Sequence, residues 1–113
     1  MGLVAGRTFI QDQPKTIKAV LTALAAASDL IESNRSEASG ILANEFGFDQ
    51  ADMNDIMTEN NYTLALNHEL VSDIDRLTEF LYGLKSVQSK PEARTWINPA
   101  FLREVRPRLD TLR

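Results

Sequence analysis

No cysteine occurs among the 113 residues of this chain. Disulfides, thiolate nucleophiles and cysteine-held zinc are therefore excluded. Compartment stays open, because a cysteine-free chain suits oxidising and reducing surroundings alike. Histidine and tryptophan occur once each, as His68 and Trp96. A lone histidine brings no second imidazole to a metal, and no Ser or Cys stands beside it to make a nucleophile–base pair. His68 reads instead as a surface or capping residue in the first turn of a helix. Glycine is sparse and builds no phosphate-cradling loop, since Gly2 and Gly6 merely flank Leu-Val-Ala. Lysine and arginine come singly in a chain of net charge −4, which argues against nucleic acid as a partner. The longest apolar stretch, residues 19–27, is interrupted by Thr22 and falls well short of the roughly 20 residues that span a bilayer. No membrane insertion is expected. Nor does the N-terminal stretch through Pro14 read as an export signal: its apolar part is short and no Lys or Arg precedes it.

What the chain does contain is helical punctuation. At 43% hydrophobic and 25% charged residues it has the composition of a globular domain rather than a disordered one. Pro14 stands where a first helical turn has no use for the missing N–H. Ile17, Val20, Leu21, Leu24, Ser28 and Ile31 then recur at spacings of three and four, with Ser28 the one polar interruption. The spacing predicts a helix over residues 14–33. Asn34 followed by Glu37 resembles a capping box and opens a second helix over 35–46, with Ala38, Ile41, Leu42 and Phe46 as its stripe and Gly47 as its left-handed stop. Asp49 is placed to cap a third helix carrying Met53, Ile56 and Met57. Residues 62–66 alternate weakly and suit extended backbone. Asn67 caps a fourth helix, to about residue 85, with the stripe Leu70, Val71, Ile74, Leu77, Phe80, Leu81 and Leu84; Gly83 inside it costs about 1 kcal/mol relative to alanine.

The expected organisation is thus a single mainly α domain of about five helices. Residues 1–10 hold at most a short strand, at 3–5; residues 14–85 hold the main helices; 86–97 form a loop; and 98–113 form a last short helix, ended by Pro107, with a tail that frays from Arg108.

Chemistry-bearing groups are few. Asp49, Asp52, Asp55 and Glu59 make an acidic ladder, but one without the turn and terminal glutamate of a calcium loop. Cap and first-turn positions explain part of it, because negative charge there suits the helix dipole. Asp73, Asp75 and Glu79, with Arg76 between them, read as a solvated face. No catalytic residue, metal ligand or cofactor is assigned, and no enzyme is expected. Phe9, Phe46, Phe48, Phe80 and Phe101 read as core. Tyr62 and Trp96, with an apolar body and a polar tip, are the candidate ligand contacts.

Four pieces in order carry a resemblance: the aromatic Phe9 and Pro14 leading into an apolar-alanine helix; Ser33-Asn34 with Glu37 and the run Ile41-Leu42-Ala43-Asn44-Glu45-Phe46-Gly47; Tyr62-Thr63-Leu64-Ala65-Leu66 before a helix through Phe80-Leu81-Tyr82; and Ile97-Asn98-Pro99-Ala100-Phe101-Leu102. Together they resemble the C-terminal helical portion of periplasmic solute-binding proteins of ABC transporters, of the nitrate/sulfonate/taurine type, related in fold to thiamine-pyrimidine-binding proteins. The resemblance implies a partial lobe of a type II periplasmic-binding-protein fold. It also implies a periplasmic location, an ABC permease as partner of the whole protein, and capture of a small anion by parts of the protein other than these helices. Without an export signal in this stretch, a cytoplasmic location stays open. No binding residue is carried over, since none of the matched positions belongs to a ligand motif. An enzyme of the thiamine-pyrimidine synthase type would share the fold, but fold alone does not carry function.

A second reading stands beside that one: a stand-alone helical interaction or adaptor protein without a small-molecule ligand. Both readings leave apolar helix faces in need of cover, so a homo-oligomer is expected from either.

Overall fold

The computed structural model describes residues 3–112 and is mainly α-helical, with no strand among them. Six α-helices follow one another: α1 (Arg7–Asp12), α2 (Pro14–Ser33), α3 (Arg35–Phe46), α4 (Gln50–Glu59), α5 (His68–Gly83) and α6 (Ala100–Val105). Short 3-10 turns at Ala93–Thr95 and Pro107–Leu109 complete the order. The chain divides into two compact units: Lys15–Leu64 forms one, and the described residues on either side of it form the other.

Within Lys15–Leu64 the core is made of small residues and methionine. Ala38 and Ala43 on α3 meet Met53 and Met57 on α4, and Leu30, Ile31, Leu42 and Tyr62 pack around them. Alanines let two helices approach closely, and the unbranched thioethers fill the irregular gaps that remain. Met57 is fully enclosed, at 0% exposure. Two polar tethers reach the first turns of α3. The Gln50 amide donates to the Ser36 carbonyl (3.0 Å) and to Ser39 Oγ (3.2 Å). The Arg35 guanidinium donates to the Met57 carbonyl, one of the unpaired carbonyls in the last turn of α4.

The helix ends explain themselves locally. Asn34 Oδ1 accepts the Glu37 N–H (3.2 Å), while its amide donates to Glu37 Oε2 (2.9 Å). This closes the capping box through the asparagine side chain, because the Asn34 backbone N–H is already used by the Leu30 carbonyl (2.8 Å). Gly47 is left-handed (φ 71°), and the N–H groups of Gly47 and Phe48 both return to the Ala43 carbonyl. Asp49 occupies the position before α4 but makes no side-chain cap, contrary to the sequence expectation; the tether at that end is Gln50.

In the second unit, Asn67 Oδ1 accepts the Leu70 N–H (2.9 Å) and starts α5. Leu66 forms an isolated parallel bridge with Asp110: its N–H donates to the Leu109 carbonyl and its carbonyl accepts the Thr111 N–H, each at 2.8 Å. The buried Asp110 carboxylate takes the Arg103 guanidinium and the Leu112 N–H (3.1 Å). The tail expected to fray is therefore held through Leu112; Met1, Gly2 and Arg113 lie outside the described residues. Pro107 does not simply stop the chain. The residue before it, Arg106, is forced out of helical geometry (φ −150°), and Pro107 then opens a 3-10 turn.

Three further expectations are corrected. Residues 3–6 have no regular structure in place of the short strand, and α1 follows where no helix was expected. The Gly6 carbonyl accepts the Ile10 N–H (3.0 Å), and a short helix forms before the pre-proline Gln13 ends it. The apolar stripes are only partly buried. On α2 the buried line is Ile17, Leu21, Ala25 and Ser28, with Val20 and Leu24 exposed; on α3, Ile41 and Phe46 face solvent while Ser39 is enclosed. Of the phenylalanines assigned to the core, Phe9, Phe46, Phe48 and Phe80 are exposed, and Phe101 is half-buried.

The end of α5 has an unusual residue at its turn. Lys85 takes a left-handed conformation (φ 59°), with its N–H on the Tyr82 carbonyl (2.9 Å) and the Ser86 N–H on the Leu81 carbonyl (2.9 Å). That is a Schellman closure with lysine in the place where glycine is favoured. Replacing Lys85 by glycine relieves the clash of Cβ with its own carbonyl, so Lys85→Gly is expected to raise stability by about 1 kcal/mol, read as a higher urea midpoint at unchanged slope.

Candidate functional site

Tyr62 and Trp96 fall in different units and in different surroundings. Tyr62 is half-buried at the edge of the alanine–methionine core. It lines an open cleft of about 430 Å³ with Ser28, Arg35, Thr58 and Asn61. The cleft's polar groups are largely engaged in holding the fold. Ser28 Oγ donates to the Tyr62 carbonyl (3.4 Å) and accepts the Leu64 N–H (3.3 Å). Asn61 Oδ1 accepts the Thr63 N–H (2.9 Å), and Arg35 holds the end of α4. Among the described residues no buried side-chain nitrogen or oxygen lacks a hydrogen-bond partner. Glu32 belongs to the polar lining of the cleft as well.

Ser28 is the residue whose role the sequence disguised. It stands in the α2 stripe where an apolar side chain was expected, and it is buried. Its hydroxyl serves residues 62–64, which lie outside any helix and have no strand to pair with among the described residues. The polar break in an otherwise regular stripe was the available signal, and only the fold supplies its partners.

Trp96 lies just past the Ala93–Thr95 turn, 53% exposed. Around it the segment after α5 is strapped onto that helix. Ala93 is fully buried (0% exposed), and its N–H donates to Asp75 Oδ1 (2.9 Å). Lys90 pairs with Glu79 (3.1 Å) and sits 5.2 Å from the centre of the Tyr82 ring. Arg94 meets His68 Nδ1 at 2.9 Å. Asp75 and Glu79 are thus attachment points rather than a merely solvated face, while Arg76 pairs with Asp73 one turn back. Among the described residues, no group of three or more His, Asp or Glu is placed to hold a metal ion.

The largest unassigned feature is apolar. On α5 the stripe reads as a band graded from buried to exposed: Val71 is buried, Leu70, Ile74 and Leu81 are half-buried, and Leu77, Phe80 and Leu84 are open, Phe80 to 62%. Val20 and Leu24 make a smaller open pair on α2. The width of the α5 stripe, seven residues over four turns, was the sequence signal; which edge stays open depends on what packs there. Among the described residues no helix is long and apolar enough to cross a membrane. No family model, curated protein or solved structure matches this chain.

Removing the Ser28 hydroxyl leaves the Leu64 N–H and the Tyr62 carbonyl short of a partner. Ser28→Ala is expected to destabilise the protein by about 1–2 kcal/mol, with faster amide exchange at Leu64 and an unchanged rate at Leu70.

Proposed function

We propose that this chain is the helical scaffold of a solute-binding protein serving ABC import, of the nitrate/sulfonate/taurine class. In this reading it works in the periplasm, and the whole protein delivers a small anion to its permease. The observation that carries it is the open apolar edge of α5, Leu77, Phe80 and Leu84, on a helix whose two ends are fully capped. A helix finished at its ends and unfinished along one side is suited to back further protein of the same lobe. The order of the resembling pieces supports the same reading: Pro14 opens α2, Asn34 and Glu37 turn the corner into α3, Gly47 closes it, and Asn98-Pro99 leads into α6.

One observation favours a stand-alone helical adaptor instead. The Leu66–Asp110 bridge ties the start of α5 to the C-terminal tail, as in a domain that closes on itself. The nucleotide sequence upstream separates the two. A frame continuing into strand–helix repeats behind an export signal supports the scaffold, and a stop codon immediately before Met1 supports the adaptor.

For the scaffold reading, calorimetry of this chain against nitrate, taurine, alkanesulfonates and pyrimidines is expected to show no binding, and micromolar affinity for any of them would overturn it. In the same solutions the open faces pair with second copies. Light scattering should therefore read masses rising above 12.6 kDa with concentration, and Phe80→Glu should bring them back to the monomer.

A further inference from the structure

Two stretches of the Lys15–Leu64 unit share one pattern: Glu32-Ser33-Asn34-Arg35-Ser36 and Glu59-Asn60-Asn61-Tyr62-Thr63. Each holds an Asn-x-Ser/Thr acceptor motif for N-glycosylation, with no proline in the middle and a glutamate two positions ahead of the asparagine. The sequence does not separate them, but the fold does. Asn34 is the N-cap of α3, and both ends of its amide are committed: Oδ1 accepts the Glu37 N–H (3.2 Å) and Nδ2 donates to Glu37 Oε2 (2.9 Å). Ser36 lies in the first turn of that helix, where residues two apart do not face each other.

Asn61 is placed differently. Residues 61–63 lie outside any helix, and exposure alternates: Asn61 and Thr63 are exposed, Tyr62 and Leu64 half-buried. Ser28 holds the inner pair through the Tyr62 carbonyl and the Leu64 N–H, so the asparagine and the threonine stand out together. The Thr63 N–H donates to Asn61 Oδ1 (2.9 Å), which makes an Asx turn. That bond uses the amide oxygen and leaves out the nitrogen, the atom that takes the sugar. It also draws electron density toward the oxygen, which makes an Nδ2 proton easier to remove.

We propose that Asn61 is an N-glycan acceptor in the folded chain and that Asn34 is not. The donor is, by class, an oligosaccharide on a lipid diphosphate, presented by a membrane-bound oligosaccharyltransferase. Asn61 Nδ2 attacks the anomeric carbon of the sugar. The new C–N bond forms as the bond from that carbon to the diphosphate oxygen breaks. The lipid diphosphate leaves with the electron pair, and one amide proton passes to a base of the transferase. The product carries a bulky, solubilising group beside the open cleft that Asn61 and Tyr62 line. Such transfer belongs to exported proteins, so its occurrence in the cell rests on the periplasmic reading, while the acceptor geometry does not.

The full folded chain is incubated with a purified bacterial oligosaccharyltransferase and a polyprenyl-diphosphate-linked oligosaccharide, then followed by intact mass and peptide mapping. One oligosaccharide increment is expected, and it should map to Asn61. Asn61→Gln should lose the increment. Thr63→Val should lose it too, although its N–H still makes the turn, because the hydroxyl of the motif is gone. Asn34→Gln should take up the sugar as the unaltered chain does. A chain that stays unmodified, or an increment at Asn34, would overturn the proposal. Cell fractionation tests the location separately. A chain confined to the cytoplasm that still accepts the sugar in the purified reaction fails the periplasmic reading and upholds the acceptor.

Discussion

The close approach of α3 to α4 is the contact on which the Lys15–Leu64 unit depends. It requires small side chains on α3, and Ala38, Ser39 and Ala43 supply them. Against that surface Met53 and Met57 are enclosed, with Leu30, Ile31, Leu42 and Tyr62 packed around them. A core so thin contributes little from area alone, and the polar groups at its margin matter correspondingly more. Gln50 and Arg35 fix α4 to the first turns of α3, and Ser28 fixes the chain that leaves α4. An isoleucine at Ser28 would satisfy the stripe and strand two backbone groups. The position is polar because the neighbouring segment has no sheet to join.

What could be read from the sequence was local in origin. Pro14, Asn34 with Glu37, Gly47 and Asn67 act on groups within four residues of themselves, and the bounds of α2 and α3 follow from them. The misreadings share the opposite character. Whether Val20 or Ala25 is the buried residue on α2, and whether Ser39 or Ile41 is on α3, is decided by what arrives from elsewhere in the chain. A helical stripe gives the direction of burial to within about a third of the circumference, which is too coarse to choose between adjacent rows. Lys85 shows a different limit. Gly83 offered a glycine near the end of α5, but the closure falls two residues later, where the chain turns back toward Ala93.

The same distinction governs the candidate site. Tyr62 and Trp96 were picked for their chemistry, and their chemistry is ordinary where they stand: one edges a core, the other ends a turn. The acidic residues of α5 carried more than their composition suggested. Asp75 and Glu79 lie seven and eleven positions beyond His68, so the three share one side of the helix. That side receives the segment bearing Lys90, Ala93 and Arg94. Periodicity could have placed the three together; nothing in it could have named the groups that meet them.

The open edge of α5 bears on the choice between cover by the same polypeptide and cover by another. Leu77, Phe80 and Leu84 are each a little more than half exposed. Fully burying such a side chain is worth roughly 1.5–3 kcal/mol, so completing the burial of all three would contribute roughly 3–5 kcal/mol. Bringing a separate molecule onto the face costs about 4–15 kcal/mol in lost translational and rotational freedom. The face alone therefore holds a partner in trans weakly: two copies, each burying its own face, pair only as concentration rises, and an adaptor would need further contacts to use it. Protein continuous with this chain meets no such cost, because the sequence already keeps it close, and the same few kilocalories then suffice to seat it. The modest size of the patch is thus better matched to cover by the same polypeptide than to cover by a separate molecule.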